Sequence, residues 1–264
     1  MKIIADAWKE EEKWLFKRRG YLSASDIFKV LTHEELVTMG WWREGWMAGD
    51  LEEIIELKLT GASPDFKDPV HVAWGREEED HNRELFEDYS GIMTAECHYF
   101  IGNERWPYLA TTLDGYSFVP EEWDSLARPE MFHKPEDVIK SIRALPSESR
   151  HLLEMKQSGE YSGKCWFDGY RNEPKDRQGR SKVTRGRFRA HPPTCPVYYL
   201  GQVQTQMALA GFEYNLAVVK RGASYMTSHT YKLSPNWLKI LDAVNERVAE
   251  PIEKLRKDLT NASN

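Results

Sequence analysis

The sequence has little cysteine and no long apolar run. Its three cysteines, Cys97, Cys165 and Cys195, lack CxxC spacing, so neither a zinc site nor a disulfide framework is predicted. No run approaches the roughly 18 apolar residues of a membrane-spanning helix, and the charged stretch from Asp6 onward leaves no apolar core for a signal peptide. Internal repeats and low-complexity tracts are also absent. We therefore expect a soluble globular protein of a reducing cytoplasm.

Neither sign of charge dominates the composition. The 36 basic and 42 acidic residues give a formal net charge of -6, which argues against a protein that simply coats nucleic acid but permits a locally basic channel. With 264 residues, 41% of them hydrophobic, the chain can bury the core of one large domain. We predict a single domain over residues 1–264.

Hydrophobic periodicity predicts several helices. An amphipathic helix is expected over residues 6–17, and the hydroxyls at Ser23-Ala24-Ser25-Asp26 are typical of a helix start. Further helices are predicted after Gly75, where acids crowd the first turn, and over residues 196–210. A long C-terminal helix is predicted from Ser234, with an interruption near Pro251.

Strands are predicted where apolar residues run together or alternate. The expected strands cover residues 107–113, 152–157, 213–220 and 223–233. Two segments between elements are predicted to be insertions: a proline-containing one at about 119–147, and one at about 161–196 with nine basic against four acidic residues. The second is either a solvated loop or a lining for a nucleic-acid backbone. The cluster Trp41, Trp42 and Trp46 is either packing or a surface that stacks on bases.

Two acids and a lysine lie at strand ends or edges. In the strand 152–157, Glu154 and Lys156 share one face, because side chains alternate along a strand. Asp114 ends an apolar run and precedes Gly115, where the chain must turn. These residues form a possible metal site with a general base. The alternative is an exposed strand with a Glu-Lys pair.

Three further features point to a polar site. Arg18 and Arg19 lie beside the helix start at Ser23, where backbone N-H groups and guanidinium groups both favour phosphate; an ordinary cap with solvated arginines is the alternative. Glu79 is expected on a half-buried helix face, with a solvated charge as the alternative. Gln202 and Gln206 share one stripe of their helix and face inward, so they need polar partners.

These motifs, in this order, resemble the lambda-exonuclease (YqaJ-type viral recombinase) family of the PD-(D/E)xK nuclease superfamily. The resemblance covers residues 16–220 apart from the two insertions, and it excludes the C-terminal helix at about 234–264. Leu113 stands where the family usually has proline. The motifs are Arg18-x-Gly20-x-x-Ser23-Ala24-Ser25, Gly75-x-x-x-Glu79 with Arg83, Thr111-Thr112-Leu113-Asp114-Gly115, Leu153-Glu154-Met155-Lys156, and Tyr199-x-x-Gln202-Val203-Gln204.

The resemblance implies an α/β, restriction-endonuclease-like core, with a mixed central sheet between helices. It implies that Asp114, Glu154 and the Met155 carbonyl bind Mg2+, with Mn2+ as a possible substitute. Lys156 then orients or deprotonates the attacking water or balances charge on the phosphate. Further implied roles are a second-metal acid at Glu79, a residue holding Lys156 or the water at Gln202, a 5'-phosphate site at Arg18 and Ser25, and a DNA contact at Thr112.

The implied function is a Mg2+-dependent 5'-to-3' exonuclease that degrades one strand of linear duplex DNA. The 3' single strand would serve a phage-type single-strand annealing protein in a bacterial host cytoplasm, and the family's ring-shaped trimers suggest a homotrimer. One alternative is a restriction or repair endonuclease of the same superfamily. Another is a DNA-binding protein with a vestigial site. Iron-sulfur nucleases are excluded by the cysteine count and spacing.

Overall fold

A computed structural model describes residues 1–6, 9–40, 50–61, 79–90, 92–97, 99–118, 150–158, 197–221 and 225–262. The helices are α1 (Glu11–Arg19), α2 (Ala24–Ile27, followed by a 3-10 turn, Phe28–Val30), α3 (His33–Thr38), α4 (Leu51–Thr60), α5 (Glu79–Ser90), α6 (Val197–Ala210) and α7 (Pro235–Ala262). The strands are β1 (Lys2–Asp6), β2 (Leu22–Ser23), β3 (Met93–Glu96), β4 (Tyr99–Asn103), β5 (Trp106–Thr112), β6 (Gly115–Phe118), β7 (Arg150–Ser158), β8 (Tyr214–Arg221) and β9 (Tyr225–Lys232).

The described strands form two mixed sheets. One sheet has the order β1-β4-β5-β2, and the other has the order β3-β6-β7-β8-β9. Each contains one parallel pair, β2 with β5 and β7 with β8, among antiparallel neighbours. The predicted α/β class with mixed sheets between helices is therefore confirmed, although the strands are divided between two sheets.

The two sheets meet at a two-residue junction. Strand β5 ends at Thr112, and β6 begins at Gly115. Only Leu113 and Asp114 lie between them, with Leu113 buried in the main core. The chain therefore passes from one sheet to the other through a segment that contains the acid Asp114.

Helices α6 and α7 pack together and provide much of the main core. Val203, Met207 and Leu209 of α6 belong to the same buried cluster as Trp237 and Leu241 of α7. Because α6 also packs against strands of both sheets, it fixes both in relation to one another. The side chains of α6 that contact the strands, such as Gln202 and Gln206, are therefore held on a rigid element.

Several predicted boundaries were wrong. Asp6 ends strand β1, where it pairs with Tyr99, so the first helix begins at Glu11 rather than at Asp6. That helix has no buried residue, and Leu15 and Phe16 are exposed; the predicted apolar face is not buried within the described chain. The N-terminal strand β1 was missed because its pairing partner lies almost a hundred residues away.

The predicted interruption of the C-terminal helix was also wrong. Helix α7 continues through Pro251. A proline inside a helix removes a backbone hydrogen bond and clashes with the preceding turn, at a cost of about 3 kcal/mol. Val248 and Ile252 are buried on either side of Pro251, and their packing stabilises the helix where the proline removes a hydrogen bond.

Some predictions fall on residues outside the described ranges. They concern the two insertions, the Trp41-Trp42-Trp46 cluster, Gly75 and the side chain of Lys156. Within the described helices, none is both long and apolar enough to cross a membrane.

Candidate active site

Glu154 is a buried carboxylate in the middle of β7. Its exposed fraction is 1%, so the alternative of an exposed strand bearing this acid is wrong. The opposite face of β7 carries Leu153 and Met155, which pack with Phe86 of α5. The alternation predicted for this strand is therefore confirmed for Glu154. A buried carboxylate requires polar partners.

Two glutamines of α6 supply those partners. Nε2 of Gln202 donates to Oε1 of Glu154 over 2.6 Å, and Nε2 of Gln206 donates to Oε2 over 2.6 Å. The two glutamines are four residues apart, one helical turn, so both side chains reach the same strand. Each oxygen of the carboxylate thus accepts a hydrogen bond from α6.

Asp114 contacts the backbone beside Glu154. Strand β6 begins at Gly115, opposite Leu153, so β7 has no ladder partner from β6 beyond that residue. There Oδ2 of Asp114 accepts a hydrogen bond from the backbone N-H of Met155 over 3.0 Å. The chain break between β5 and β6 therefore brings the Asp114 carboxylate to the residue that follows Glu154.

Arg83 links Glu79 to the Asp114 backbone. Its Nη2 lies 3.3 Å from Oε1 of Glu79 and 3.3 Å from the carbonyl oxygen of Asp114. Arg83 is 7% exposed, and its Nε also lies 3.8 Å from Oε1 of Glu96. Glu79 is half-buried, as expected, and it is held near the junction through this arginine.

Gly115 is required by the close approach of two neighbours. A Cβ atom at this position would lie 2.5 Å from the carbonyl oxygen of Ala95 and 2.9 Å from Nη1 of Arg83. Both distances are well below van der Waals contact, and the first involves backbone. Gly115 therefore permits Arg83 to pass beside the Asp114 junction.

A second polar region surrounds Ser25. Strand β2 pairs in parallel with β5, with Ser23 opposite Ala110, so this region lies beside the strand that leads to Asp114. Ser23 occupies the predicted N-cap position of α2 but makes no capping bond. Instead its hydroxyl contacts the hydroxyl of Ser25 and the carboxylate of Asp26. The predicted helix start is confirmed, and its serine contacts side chains rather than the first turn.

Positive charge collects around the same region. Nζ of Lys58 lies 3.2 Å from Oδ2 of Asp26, and Lys58 is only 12% exposed. Burial lowers the pKa of Lys58, Asp26 opposes the shift, and Arg18 adds to it. Arg18 and Lys58 are therefore close enough to repel each other, and Ser25, next to Asp26 in the chain, is exposed. Lys58 thus gives the Ser23–Asp26 segment a cationic neighbour, which suits an anionic ligand.

The donor set near Asp114 is suited to a hard divalent cation. It consists of the Glu154 carboxylate in the middle of β7, the Asp114 carboxylate in the junction before β6 and the nearby Met155 carbonyl, all oxygen donors. Within the described residues there is no group of three or more His, Cys, Asp or Glu side chains that could hold a metal. Mg2+ commonly uses one or two carboxylates and keeps its other positions for water and phosphate oxygens. Asp114 and Glu154 therefore fit Mg2+ better than a metal that needs a full protein cage.

The sequence analysis missed the roles of three residues. Gln206 was predicted to face inward but was given no function, and the signal available was its spacing of one helical turn from Gln202. Arg83 was part of a motif but also had no assigned role. Lys58 carried no sequence signal, because its approach to Asp26 depends on how α4 packs.

Solved structures share this fold at low sequence identity. An alkaline exonuclease, LHK-Exo, from Laribacter hongkongensis superposes with a TM-score of 0.54 at 16% identity, covering 96% of this chain and 98% of that one. Its complex with dAMP gives a TM-score of 0.54 at 17% identity, with the same coverage. No curated protein sequence matches the chain. A sequence model of the YqaJ-like viral recombinase domain matches residues 13–213, about three quarters of the chain, and the protein therefore belongs to the YqaJ-like viral recombinase family.

Proposed function

We propose that the protein is a Mg2+-dependent 5'-to-3' exonuclease that degrades one strand of linear duplex DNA. The observation that carries the proposal is the buried Glu154, held by two glutamines beside the Asp114 carboxylate. Family membership and a fold shared with an alkaline exonuclease support the same reading. The 3' single strand left behind would be the substrate of a single-strand annealing protein.

Asp114, Glu154 and the Met155 carbonyl are the proposed Mg2+ ligands, and Glu79 is the proposed acid of a second metal. Bound Mg2+ supplies positive charge that stabilises the attacking and leaving oxygens during phosphodiester hydrolysis. The other proposed roles belong to side chains of the protein. Gln202 and Gln206 fix the Glu154 carboxylate, Arg83 braces the junction at Asp114, and Lys156 is the proposed proton acceptor for the attacking water.

The end of the substrate is proposed to bind around Ser25. Arg18 and the Ser25 hydroxyl would hold the terminal 5'-phosphate, and Thr112 would contact the DNA backbone. Strand β2 pairs with β5, and Ser23 lies opposite Ala110, which is four residues before Asp114. The region around Ser25 therefore lies beside the strand that leads to Asp114. An anchored 5'-phosphate would decide which strand is cut and in which direction. A ring-shaped homotrimer in the host cytoplasm completes the proposal, by analogy with the family.

The test is nucleotide release from linear duplex DNA with 5'-phosphates, run beside closed circular duplex in Mg2+. The variant is Glu154→Gln, which keeps the shape and removes the charge. The matched control is Glu213→Gln, an acid that pairs with Lys232 on the surface. We expect loss of one strand from linear DNA alone, abolished by the Glu154 variant and kept by the control.

Two other outcomes would replace the proposal. Cleavage of the closed circle would identify an endonuclease, since a threaded exonuclease needs an end. DNA binding without metal-dependent cleavage of either substrate would identify a DNA-binding protein with a vestigial site.

A further inference from the structure

Helix α6 carries three neighbouring glutamines with different partners. Gln204 is buried and connects α6 to the segment between β9 and α7. Its Nε2 donates to the Lys232 carbonyl over 2.9 Å, and its Oε1 accepts from the Ser234 N-H over 2.8 Å. Gln202 and Gln206 point instead at Glu154. The helix therefore has one glutamine with a structural role and two that reach the candidate active site.

Gln206 differs from Gln202 in contacting both the Glu154 carboxylate and the strand that leads to Asp114. Its Nε2 donates to Oε2 of Glu154 over 2.6 Å on β7 and to the carbonyl of Thr112 over 3.4 Å at the end of β5. Thr112 lies two residues before Asp114. One amide group therefore connects the Glu154 carboxylate to the backbone that carries Asp114.

No structural bond elsewhere accounts for Gln206. The side chain is 1% exposed, and its Oε1 is buried without a hydrogen-bond partner among the residues that the structure describes. Both partners of its amide are oxygen acceptors, so the NH2 group must be the end that faces them. Leaving one end of a buried amide without a hydrogen bond costs free energy. The contacts it makes are those to Glu154 and Thr112.

We infer that Gln206 is a positioning residue that sets the Glu154 carboxylate in place relative to Asp114 for binding of a divalent cation. The inference rests on the proposed function, because it takes Asp114 and Glu154 as the metal ligands. Gln202 fixes the other oxygen of Glu154 but, within the described part of the chain, makes no hydrogen bond to the end of β5. Only with Gln206 present are the carboxylate and the Asp114 strand held by a common side chain of the described helix.

The expected cost of losing Gln206 is a loss of metal affinity. Partners that hydrogen-bond to a ligating carboxylate keep it oriented, and their removal typically weakens metal binding or activity by about 10–100-fold. Gln206→Met keeps nearly the same volume and removes the donor. Glu154 would then lose the hydrogen bond to its Oε2 and could rotate away from Asp114.

The experiment is calorimetric titration of the DNA-free full-length protein with Mn2+. We expect Gln206→Met to raise the Mn2+ dissociation constant by about 10–100-fold. The matched control is Gln204→Met, at a residue of the same helix that is also buried. This control should lower the thermal unfolding midpoint and leave Mn2+ affinity unchanged. In nuclease assays, excess Mg2+ should restore the rate of the Gln206 variant, as expected for a residue that acts through Glu154.

Unchanged Mn2+ affinity in a folded Gln206→Met protein would overturn the inference. If that variant does not fold, Gln206→Asn takes its place, since it keeps the amide but is too short to reach both partners; wild-type affinity there would overturn it equally. The two proposals fail separately. A wild type that releases no nucleotides while Mn2+ affinity still depends on Gln206 would refute the exonuclease alone.

Discussion

Arg18 and Arg19 are adjacent in the chain but have different roles in the fold. The guanidinium group of Arg19 donates to the carbonyls of Lys58 and Leu59, so it caps the C-terminal end of α4. Arg18 lies over the ring of Trp14, 5.6 Å from its centroid, within electrostatic range of Lys58. Of the two arginines, Arg18 is therefore the one proposed to bind phosphate.

Replacing Arg18 tests the proposed 5'-phosphate site. A hydrogen bond to a charged group contributes about 1.5–3 kcal/mol, so Arg18→Ala should slow degradation from 5'-phosphorylated ends by about 10–100-fold. Ends with a 5'-hydroxyl should be much less affected, because they lack the group that Arg18 would bind. The measurement is the initial rate on matched duplexes that differ only at the 5' end.

The control for this experiment is Lys13→Ala. Lys13 is an exposed cation on the same helix, and it pairs with Glu10. Removing it changes the net charge equally without touching the Ser25 region. Equal losses on both kinds of DNA end in the Arg18 variant would argue against a phosphate pocket.

Helix α7 shows how an element outside the family segment supports residues inside it. Arg256 of α7 donates to the carbonyls of Gly20 over 2.8 Å and Pro107 over 2.9 Å. Its guanidinium group lies 4.4 Å from the ring centroid of Tyr21 and 5.2 Å from that of Tyr108. Arg256 thereby connects α7 to the turn before β2 and to the start of β5.

Replacing Arg256 should destabilise the protein substantially. Arg256→Met keeps an apolar stem but leaves two backbone carbonyls without this donor and removes two cation-π contacts. Charge-assisted hydrogen bonds and cation-π contacts at half-buried sites are each modest, and together we expect a loss of about 2 kcal/mol or more. The measurement is the free energy of unfolding from urea titration.

Arg105 provides the comparison. It also makes two bonds from its guanidinium group, but both go to Asp242 on the surface. Exposed ion pairs contribute little because water and salt screen them, so Arg105→Met should cost clearly less than Arg256→Met. A larger loss at Arg105 would contradict the structural role given to Arg256.

At the scale of the whole molecule, the main core includes α7. Eight of its side chains are buried at helical spacing: Trp237, Ile240, Leu241, Val244, Val248, Ile252, Leu255 and Leu259. They join the same cluster as residues of β5 and α6. The segment matched by the family model ends at residue 213, but the hydrophobic core does not.

Removing α7 should therefore prevent folding. Each fully buried apolar side chain contributes about 1.5–3 kcal/mol, so eight of them contribute about 12–24 kcal/mol, as much as or more than the total stability of a typical domain, about 5–15 kcal/mol. A chain ending at Leu233 should lack a cooperative thermal transition and near-ultraviolet circular dichroism. A chain ending at Ala262 is the control and should unfold like the full-length protein. A cooperative transition in the shorter chain would mean that the family segment folds alone.

Local pattern determined much of this protein. Residue alternation predicted the strand that carries Glu154, spacing predicted the inward stripe of Gln202 and Gln206, and the motif order predicted the family. These features depend on periods of two or about 3.6 residues and on short motifs, which the sequence displays directly.

Tertiary structure alone decided which residues meet. The strand β1, the bonds from Gln206 to Glu154 and to the end of β5, the approach of Lys58 to Asp26 and the passage of α7 through Pro251 all depend on partners distant in sequence. Such contacts arise from packing, where buried side chains outweigh local preferences by several kcal/mol. The sequence supplied the acids and the amides. The junction between two sheets brought Asp114 to the residue after Glu154, because β6 begins at Gly115, opposite Leu153, and leaves the Met155 N-H to the Asp114 carboxylate.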